Sequence, residues 1–89
     1  MRINKIDERL SEMITALGGF EKIECLVRTL NYRSFNSYIK KYGERIVKGY
    51  PFINSFSIEL SKKEISRLSN LDSIVYISAS SNVFALMNV

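Results

Sequence analysis

Residues 52–60 read FINSFSIEL, and the two-residue period of this stretch decides the fold. Its large apolar side chains fall on one face of an extended chain: Phe56, Ile58 and Leu60. Ser55 and Ser57 fall on the other face, so the period predicts a strand at 53–60 that buries one face and keeps the other small. A face of small side chains lets another structure, such as a helix of a partner protein, approach closely. An ordinary half-solvated sheet face is the alternative.

Helices and strands are predicted on both sides of this strand. In chain order, the patterns indicate a helix at 3–17, a strand at 21–30, a helix at 32–43, a strand at 45–50, the strand at 53–60, a helix at 61–71 and a strand at 74–77. Asn31 is the expected N-cap of the second helix. Ser61 and Glu64 form a capping box at the start of the third helix. Pro51 ends a strand because it cannot donate to a ladder.

Past the leading helix, the order is strand, helix, strand, strand, helix, strand. Two such units predict an α+β fold of the ferredoxin-like type, a βαββαβ antiparallel sheet with helices on one face. The expected organisation is an N-terminal helical extension at 1–19, the ferredoxin-like domain at 20–78, and a linker with an extended C-terminal tail at 79–89.

Composition indicates one small globular domain. The chain has 89 residues, 46% hydrophobic and 25% charged, with a net charge of +4 spread along its length. No apolar run approaches the roughly 20 residues that span a bilayer, so we expect no membrane association. The charged start of the sequence has no apolar h-region, which predicts that the chain is not exported by the general secretory route.

The residues that most enzymes use are missing. The chain contains no His and a single Cys, which excludes a Ser-His triad and a CxxC metal or redox site. No glycine-rich phosphate loop is present. Cys25 lies in a predicted strand and is expected to be a buried structural thiol. The sequence therefore predicts a protein that is not an enzyme and holds neither cofactor nor metal.

The aromatic residues favour a core role over nucleic-acid binding. Four of them lie at helical spacing: Tyr32, Phe35, Tyr38 and Tyr42. The aromatic RNP1 pattern of RNA-binding sheets is missing. We therefore expect no nucleic-acid partner, although a ferredoxin-like module that binds nucleic acid or a small ligand stays as an alternative.

The end of the chain is apolar. Residues 83–89 read VFALMNV and carry no charge. Such a tail is an aggregation hazard in water. It should fold back as an edge strand or occupy a groove on a partner in an extended form, unless it is a truncated linker.

These motifs, in this order, resemble the propeptide of subtilisin-like serine proteases, a family of intramolecular chaperones and inhibitors. Residues 49–60, GYPFINSFSIEL, are similar to the family's run of an aromatic, a β-branched residue, Asn, a small residue, Phe, Ser, two further residues and Leu. A helix at 61–71 and the aspartate-led residues 72–77, DSIVYI, follow as they do in the family. The resemblance covers residues 22–89 and leaves the leading helix outside.

The resemblance implies one partner, the catalytic domain of the cognate protease. The sheet would pack on two surface helices of the protease, with Ile53, Ser55 and Ser57 lining the contact. After autocleavage of the zymogen, the tail would lie product-like in the active-site cleft. The tail residues that would fill the non-primed subsites are Leu86, Met87, Asn88 and Val89.

The chain departs from the family after its last strand. The family usually carries acidic residues there, which cap the two protease helices, whereas this chain has hydroxyl side chains at Ser78, Ser80 and Ser81. Each hydroxyl lacks the charge–dipole contribution of about 0.3–1 kcal/mol. The linker to the tail is also a few residues longer than in bacterial subtilisin propeptides.

A narrower resemblance is to the prodomain of the clostridial germination-specific Csp-type proteases. The predicted lack of an export signal and a composition rich in Ile, Asn, Lys and Ser suit that group. It implies a role in spore germination and a cytoplasmic or spore-associated location. A free-standing inhibitor of the same structural type stays as an alternative.

Overall fold

The computed structural model describes residues 3–16, 18 and 21–80. Within them, three α-helices and four strands follow in chain order: α1 (Glu8–Ala16), β1 (Lys22–Thr29), α2 (Tyr32–Ile39), β2 (Ile46–Tyr50), β3 (Ser55–Ser61), α3 (Lys62–Ser69) and β4 (Ile74–Ala79). Short 3₁₀ turns occupy Ile3–Lys5, Lys40–Arg45 and Pro51–Ile53. None of the described helices is long and apolar enough to cross a membrane.

The strands form one antiparallel sheet in the order β2-β3-β1-β4. β1 and β3 are the two inner strands, paired from Lys22 opposite Ser61 to Arg28 opposite Ser55. β2 and β4 are the outer strands of this sheet. The predicted α+β class, with an antiparallel sheet, is confirmed.

One hydrophobic core lies between the sheet and the helices. Alternate residues of the inner strands face it, and each α-helix contributes two apolar side chains. Its members include Leu10, Ile14, Cys25, Val27, Phe35, Ile39, Phe56, Ile58, Leu60, Ile65, Leu68 and Ile77. Because the strand residues in this core share one face, α1, α2 and α3 all cover that face. No described helix covers the other one.

The segment before α1 is tied directly to the sheet. Ile6 forms a parallel bridge with Ile77, and the backbone N–H of Asp7 donates to the Ile77 carbonyl at 2.9 Å. Lys5 Nζ donates to the Leu71 carbonyl at 2.7 Å. The N-terminal residues therefore extend the sheet beyond β4.

The leading helix is shorter than the predicted helix at 3–17. The Asp7 carboxylate accepts from the backbone N–H groups of Arg9 and Leu10, at 3.1 and 3.3 Å, and so caps α1 at its N-terminus. Of the apolar residues whose spacing predicted one long helix, Ile6 forms a bridge to β4, and Leu10 and Ile14 belong to α1.

The strand predicted at 53–60 begins at Ser55 and runs to Ser61. Pro51–Ile53 forms a 3₁₀ turn, and Asn54 takes a left-handed conformation with φ 51°. Proline presets φ for a turn, and asparagine tolerates the left-handed region better than most residues. The Asn54 carbonyl accepts from the N–H and Oγ1 of Thr29 at 2.7 and 2.8 Å, which fixes the turn against β1.

Two other boundaries differ from the sequence prediction. The helix predicted at 32–43 divides into α2 and the 3₁₀ turn Lys40–Arg45, within which Gly43 has φ 55°. The last strand extends to Ala79, two residues beyond the predicted end at residue 77. Asn31 caps α2 as predicted, since its side chain accepts from the Ser34 N–H at 3.1 Å.

Candidate functional site

The face of the sheet opposite the three helices is the candidate site, and we call it the open face. Strand alternation and register assign to it Glu24, Leu26, Arg28, Lys48, Tyr50, Ser55, Ser57, Glu59, Tyr76 and Ser78. The predicted small face of β3 lies at its centre. Large side chains on the neighbouring strands surround it, with Tyr50 and Arg28 opposite Ser55 and with Leu26 opposite Ser57.

The structure brings together two of the three predicted contact residues of the sheet. Ser55 and Ser57 are neighbours on the open face, and both are buried, with 0% and 3% of their surface exposed. Ile53 lies apart from them in the 3₁₀ turn and is 46% exposed. The expectation that all three belong to one strand is wrong because the turn ends only at Asn54.

The Ser55 hydroxyl is hydrogen-bonded to the turn that precedes its strand. It donates to the Ile53 carbonyl at 2.8 Å. This short side chain lies between the larger neighbours Arg28 and Tyr50, and its hydroxyl is already hydrogen-bonded.

The predicted capping loop is placed only in part. Ser78 lies in β4 opposite Leu26, within the strand and before any loop. Ser80 is buried, and its Oγ lies 3.1 Å from Ser57 Oγ. Ser81 and the four predicted cleft residues, Leu86, Met87, Asn88 and Val89, lie outside the described residues.

Charged and aromatic side chains flank the two serines on the open face. The Lys48 ammonium lies 5.3 Å from the centre of the Tyr50 ring, within cation–π range. Tyr76 Oη donates to the Asp7 carboxylate at 3.4 Å. Slight burial, together with the charge of Asp7 and the hydrogen bond to it, raises the pKa of Tyr76 above its ordinary value of 10.0, which already lies well above neutral pH. The open face therefore offers neutral aromatic surface next to basic groups.

Cys25 faces the helices and not the site. Its side chain is fully buried, as predicted, and the thiol donates to the Ile23 carbonyl at 3.4 Å. Burial, with a smaller effect from Glu24, raises the pKa of the thiol to about 12. Because the thiolate is the reactive form, this cysteine is chemically inert in the folded chain.

We find no candidate metal-binding site in the described part of the chain. No group of three or more His, Cys, Asp or Glu side chains comes together there in a way that could hold an ion. Glu24 and Glu59 lie opposite each other on the inner strands, but they are two carboxylates without a third ligand among the described residues.

An exposed apolar patch at the end of β1 was missed by the sequence prediction. Phe52 is fully exposed, and Leu30 is 67% exposed. A shallow groove beside Leu30 continues to Phe35, Tyr38 and Leu71. The two-residue period of residues 52–60 places Phe52 in phase with Phe56, whereas the turn Pro51–Ile53 leaves it in solvent.

Comparison of the chain with protein-family models, with curated proteins and with solved structures found no match.

Proposed function

We propose that the chain is the cleaved propeptide of a subtilisin-like serine protease, which assists folding of the protease and then inhibits it. The observation that carries the proposal is a sheet face that no described helix covers, with Ser55 and Ser57 at its centre, opposite a face that three helices cover. The strand order β2-β3-β1-β4 supports a ferredoxin-like, split βαβ arrangement of residues 20–78.

The proposed contact with the protease depends on the open face, on which two helices of the protease would pack. Helices pack most closely where the opposing side chains are small, and β3 presents two serines there. Arg28 and Tyr50 flank Ser55 and can donate hydrogen bonds at the rim of such a contact. Arginine and tyrosine are enriched at protein interfaces, and the rim of an interface is polar.

The proposed inhibition depends on the C-terminal tail. Residues 86–89 would lie extended along the substrate cleft, with backbone hydrogen bonds to its edges and apolar side chains in its pockets. Autocleavage of the zymogen directly after the tail would remove the leaving group, and the tail would then bind as a product without reacting. A chain of nine residues after Ser80 reaches up to about 30 Å when extended.

The proposal is tested by inhibition of a purified bacterial subtilisin acting on a chromogenic peptide. The full chain is compared with a chain that lacks residues 86–89. Removal of the apolar tail should raise the inhibition constant at least about tenfold, since each lost buried side chain is worth about 1.5–3 kcal/mol. Circular dichroism should change little because the shortened chain keeps the buried residues of the sheet and the three helices. Equal inhibition by both chains, or by neither, would contradict the proposal.

A second arm of the same assay examines the sheet. Ser57→Arg places a bulky charge at the centre of the open face and should weaken inhibition. Ser37→Arg is the matched control because Ser37 is exposed on α2, away from the open face. Equal affinity of the two variants would remove the open face from the interface.

The narrower proposal is a prodomain of the germination-specific Csp-type proteases, which would act in the cytoplasm or the spore. It rests on the charged start of the sequence and on its composition. Catalytic Asp, His and Ser motifs following residue 89 in the gene would support it, and a stop codon there would favour a free-standing inhibitor.

Binding of single-stranded nucleic acid is a second candidate, favoured by one observation. The open face carries Tyr50 and Tyr76 together with Arg28 and Lys48, the residue types that stack on bases and contact phosphates. Salt-dependent binding of a labelled single-stranded RNA, weakened by Tyr50→Ala and accompanied by no protease inhibition, would establish this function instead.

A further inference from the structure

A groove on the helix side of the molecule runs along α2, and we call it the α2 groove. Its apolar lining comes from Leu30, Phe35, Tyr38 and Leu71, and its volume is about 420 Å³. Leu30 is 67% exposed and borders the groove. A mostly apolar groove of this size, with exposed apolar surface beside it, is typical of a binding site.

A basic residue lies at the Tyr38 end of the α2 groove. The Lys41 ammonium lies 4.1 Å from the centre of the Tyr38 ring, which lines the groove. Lys41 belongs to the 3₁₀ turn Lys40–Arg45, which carries three basic residues and one acidic residue. Arg45 bonds to Glu64 at 2.6 Å, so Lys41 is the cation placed to meet a partner at this end.

The two ends of the α2 groove differ in charge. At the other end, the Leu30 N–H donates to the Ser73 carbonyl at 2.9 Å, and Asp72 is exposed beside Ser73. No acidic residue is among the described residues that line the groove itself. A partner should therefore place an acidic group at the Tyr38 end, next to Lys41.

The walls of the α2 groove favour a helical partner. They come from α2, from Leu30 after β1 and from the segment between α3 and β4, so the groove offers no sheet edge to an extended peptide. From Asn31 to Tyr38 the groove follows α2 for seven residues, which rise about 10 Å. Apolar side chains at positions i, i+4 and i+7 of a second helix cover the same length.

We propose that the α2 groove binds an amphipathic helix of a partner protein, with apolar side chains against Leu30 and Leu71 and an acidic side chain against Lys41. The α2 groove and the open face lie on opposite sides of the sheet. The chain can therefore hold a partner on each of them, and this proposal does not rest on the proposed function.

Stapled helical peptides of about 14 residues test the proposal on the full chain labelled with nitrogen-15. The probe carries leucines at i, i+4 and i+7 and two glutamates in the turn beyond the stripe; its control carries lysines in place of the glutamates. The staple keeps both peptides equally helical. We expect saturable changes in the amide signals of residues 30–41 and 71–73, and a dissociation constant at least about fivefold lower for the glutamate peptide.

Three outcomes of this titration would overturn the proposal. The first is no saturable change at up to about 1 mM glutamate peptide, the weak limit for a specific contact. The second is equal affinity for the two peptides. The third is a set of signal changes centred on the open face.

Variants of the chain locate the contact. Lys41→Glu should reverse the preference, so that the lysine peptide binds more tightly. Leu30→Ala should weaken binding of the glutamate peptide about tenfold, because an exposed leucine loses the area that the peptide would bury. Met13→Ala is the matched control, since Met13 is an exposed apolar residue of α1 that does not line the groove. An unchanged preference in Lys41→Glu, or equal affinity of Leu30→Ala and Met13→Ala, would contradict the proposal.

The chain without peptide tests the other occupants of the α2 groove. Groove signals that change with the concentration of the chain would assign the groove to a second copy. Groove signals that change when residues 83–89 are removed would assign it to the chain's own end. Either result would overturn the proposal of a partner helix.

Discussion

At the scale of single residues, Gly49 shows how a missing side chain is used. Gly49 lies opposite Phe56 in the β2–β3 pair. The Tyr32 ring stacks on Phe56, with centroids 4.4 Å apart and planes at 8°. The end of the Tyr32 ring lies directly over Gly49, and a Cβ there would meet the hydroxyl oxygen and lie 3.1 Å from Cζ. An aromatic side chain from α2 thus fills the space that the strand leaves empty.

Gly49→Ala should therefore lower the free energy of unfolding by about 1–3 kcal/mol, the usual cost of overpacking. Removing the Tyr32 hydroxyl deletes the nearest obstacle, so adding Tyr32→Phe should recover part of the loss. Urea unfolding of the two single variants and the double variant measures this coupling. Strict additivity would show that the Tyr32 hydroxyl is not the cause of the loss.

Gly43→Ala is the matched control for that cycle. No atom lies within 4 Å of a Cβ added at Gly43, but its φ of 55° strains any side chain. The free energy of unfolding should fall by about 1–2 kcal/mol in Gly43→Ala, and the loss comes from backbone strain alone. Tyr32→Phe should leave that cost unchanged.

Asn54 marks the limit of prediction from single residues. Alternation placed it in a strand, but its left-handed backbone and its contacts are tertiary. Its carbonyl accepts from Thr29, and its side-chain oxygen accepts from the Tyr32 N–H at 3.2 Å. Position in an alternating pattern reports which face a residue would occupy in a strand, and not whether the chain is extended there. Pro51 was the local signal that a turn precedes Ser55.

At the scale of elements, the start of α3 is the most predictable feature of the fold. Ser61 Oγ accepts from the Glu64 N–H at 3.3 Å, and Glu64 Oε1 accepts from the Ser61 N–H at 3.0 Å, as the capping box predicted. Sequence could not reveal that Arg45 donates to the same carboxylate oxygen at 2.6 Å, because 19 residues separate the pair. Local motifs are predictable, whereas their long-range partners depend on the completed fold.

Glu64 should make stability depend on acid pH. Partial burial acts to raise its pKa, but hydrogen bonds from Arg45 and Ser61 outweigh burial, and the pKa lies below its ordinary value of 4.5. The unfolded chain therefore binds this proton first as pH falls. The stabilisation is present above about pH 4.5 and is lost as pH falls through the lower value of the folded chain.

Glu64→Gln should cost about 1 kcal/mol at neutral pH and little once the carboxylate of the parent chain is protonated. Glu12→Gln, on an exposed position of α1, is the control and should cost little throughout. Urea unfolding at a series of pH values provides the measurement. A cost for Glu64→Gln that does not change with pH would mean that the Arg45 contact contributes nothing as an ion pair.

Periodicity alone sets boundaries poorly for the other elements. The spacing of Ile6, Leu10 and Ile14 suits one helix, yet Ile6 pairs with β4 and only the other two belong to α1. Ser78 was assigned to a loop because it is polar, but it lies on the open face of β4, where polar residues are expected. Both errors arise because buried contacts with another element decide where a helix or strand ends.

At the scale of the whole molecule, the candidate site was predictable in part. The small face of β3 was placed on the correct side of the sheet, since alternation alone assigns Ser55 and Ser57 to the face opposite Phe56. Their near-complete burial was not predictable, because it depends on side chains from neighbouring strands and on Ser80. The rim residues Arg28 and Tyr50 become visible only once the register is known.

The N-terminal segment was expected to lie outside the ferredoxin-like domain, but its apolar side chains belong to the same core as the sheet. Ile6, Leu10 and Ile14 are buried in the same cluster as the sheet residues, and no more than 5% of any of them is exposed. A domain of this size buries a limited fraction of its surface, so three such side chains are a substantial part of its stability. The segment and the sheet should therefore unfold together.

Leu10→Ala tests this cooperativity, because Leu10 is fully buried on α1. We expect one unfolding transition for the parent chain and a loss of about 2–5 kcal/mol for the variant, the range for a leucine truncated in a core. Met13→Ala is the matched control on the same helix: Met13 is 37% exposed, so its loss should stay near 0.5 kcal/mol, as is usual for surface positions. Ile14→Val gives a milder core change, about 0.5–1.5 kcal/mol, where Leu10→Ala leaves too little folded protein to measure.

Circular dichroism and tyrosine fluorescence during urea unfolding should report the same midpoint, because Tyr32 and Tyr42 pack against or within the cluster that Leu10 joins. Two separate transitions, with the Leu10 change confined to one of them, would mean that the segment before β1 is an independent appendage and that the sheet with α2 and α3 is stable without it.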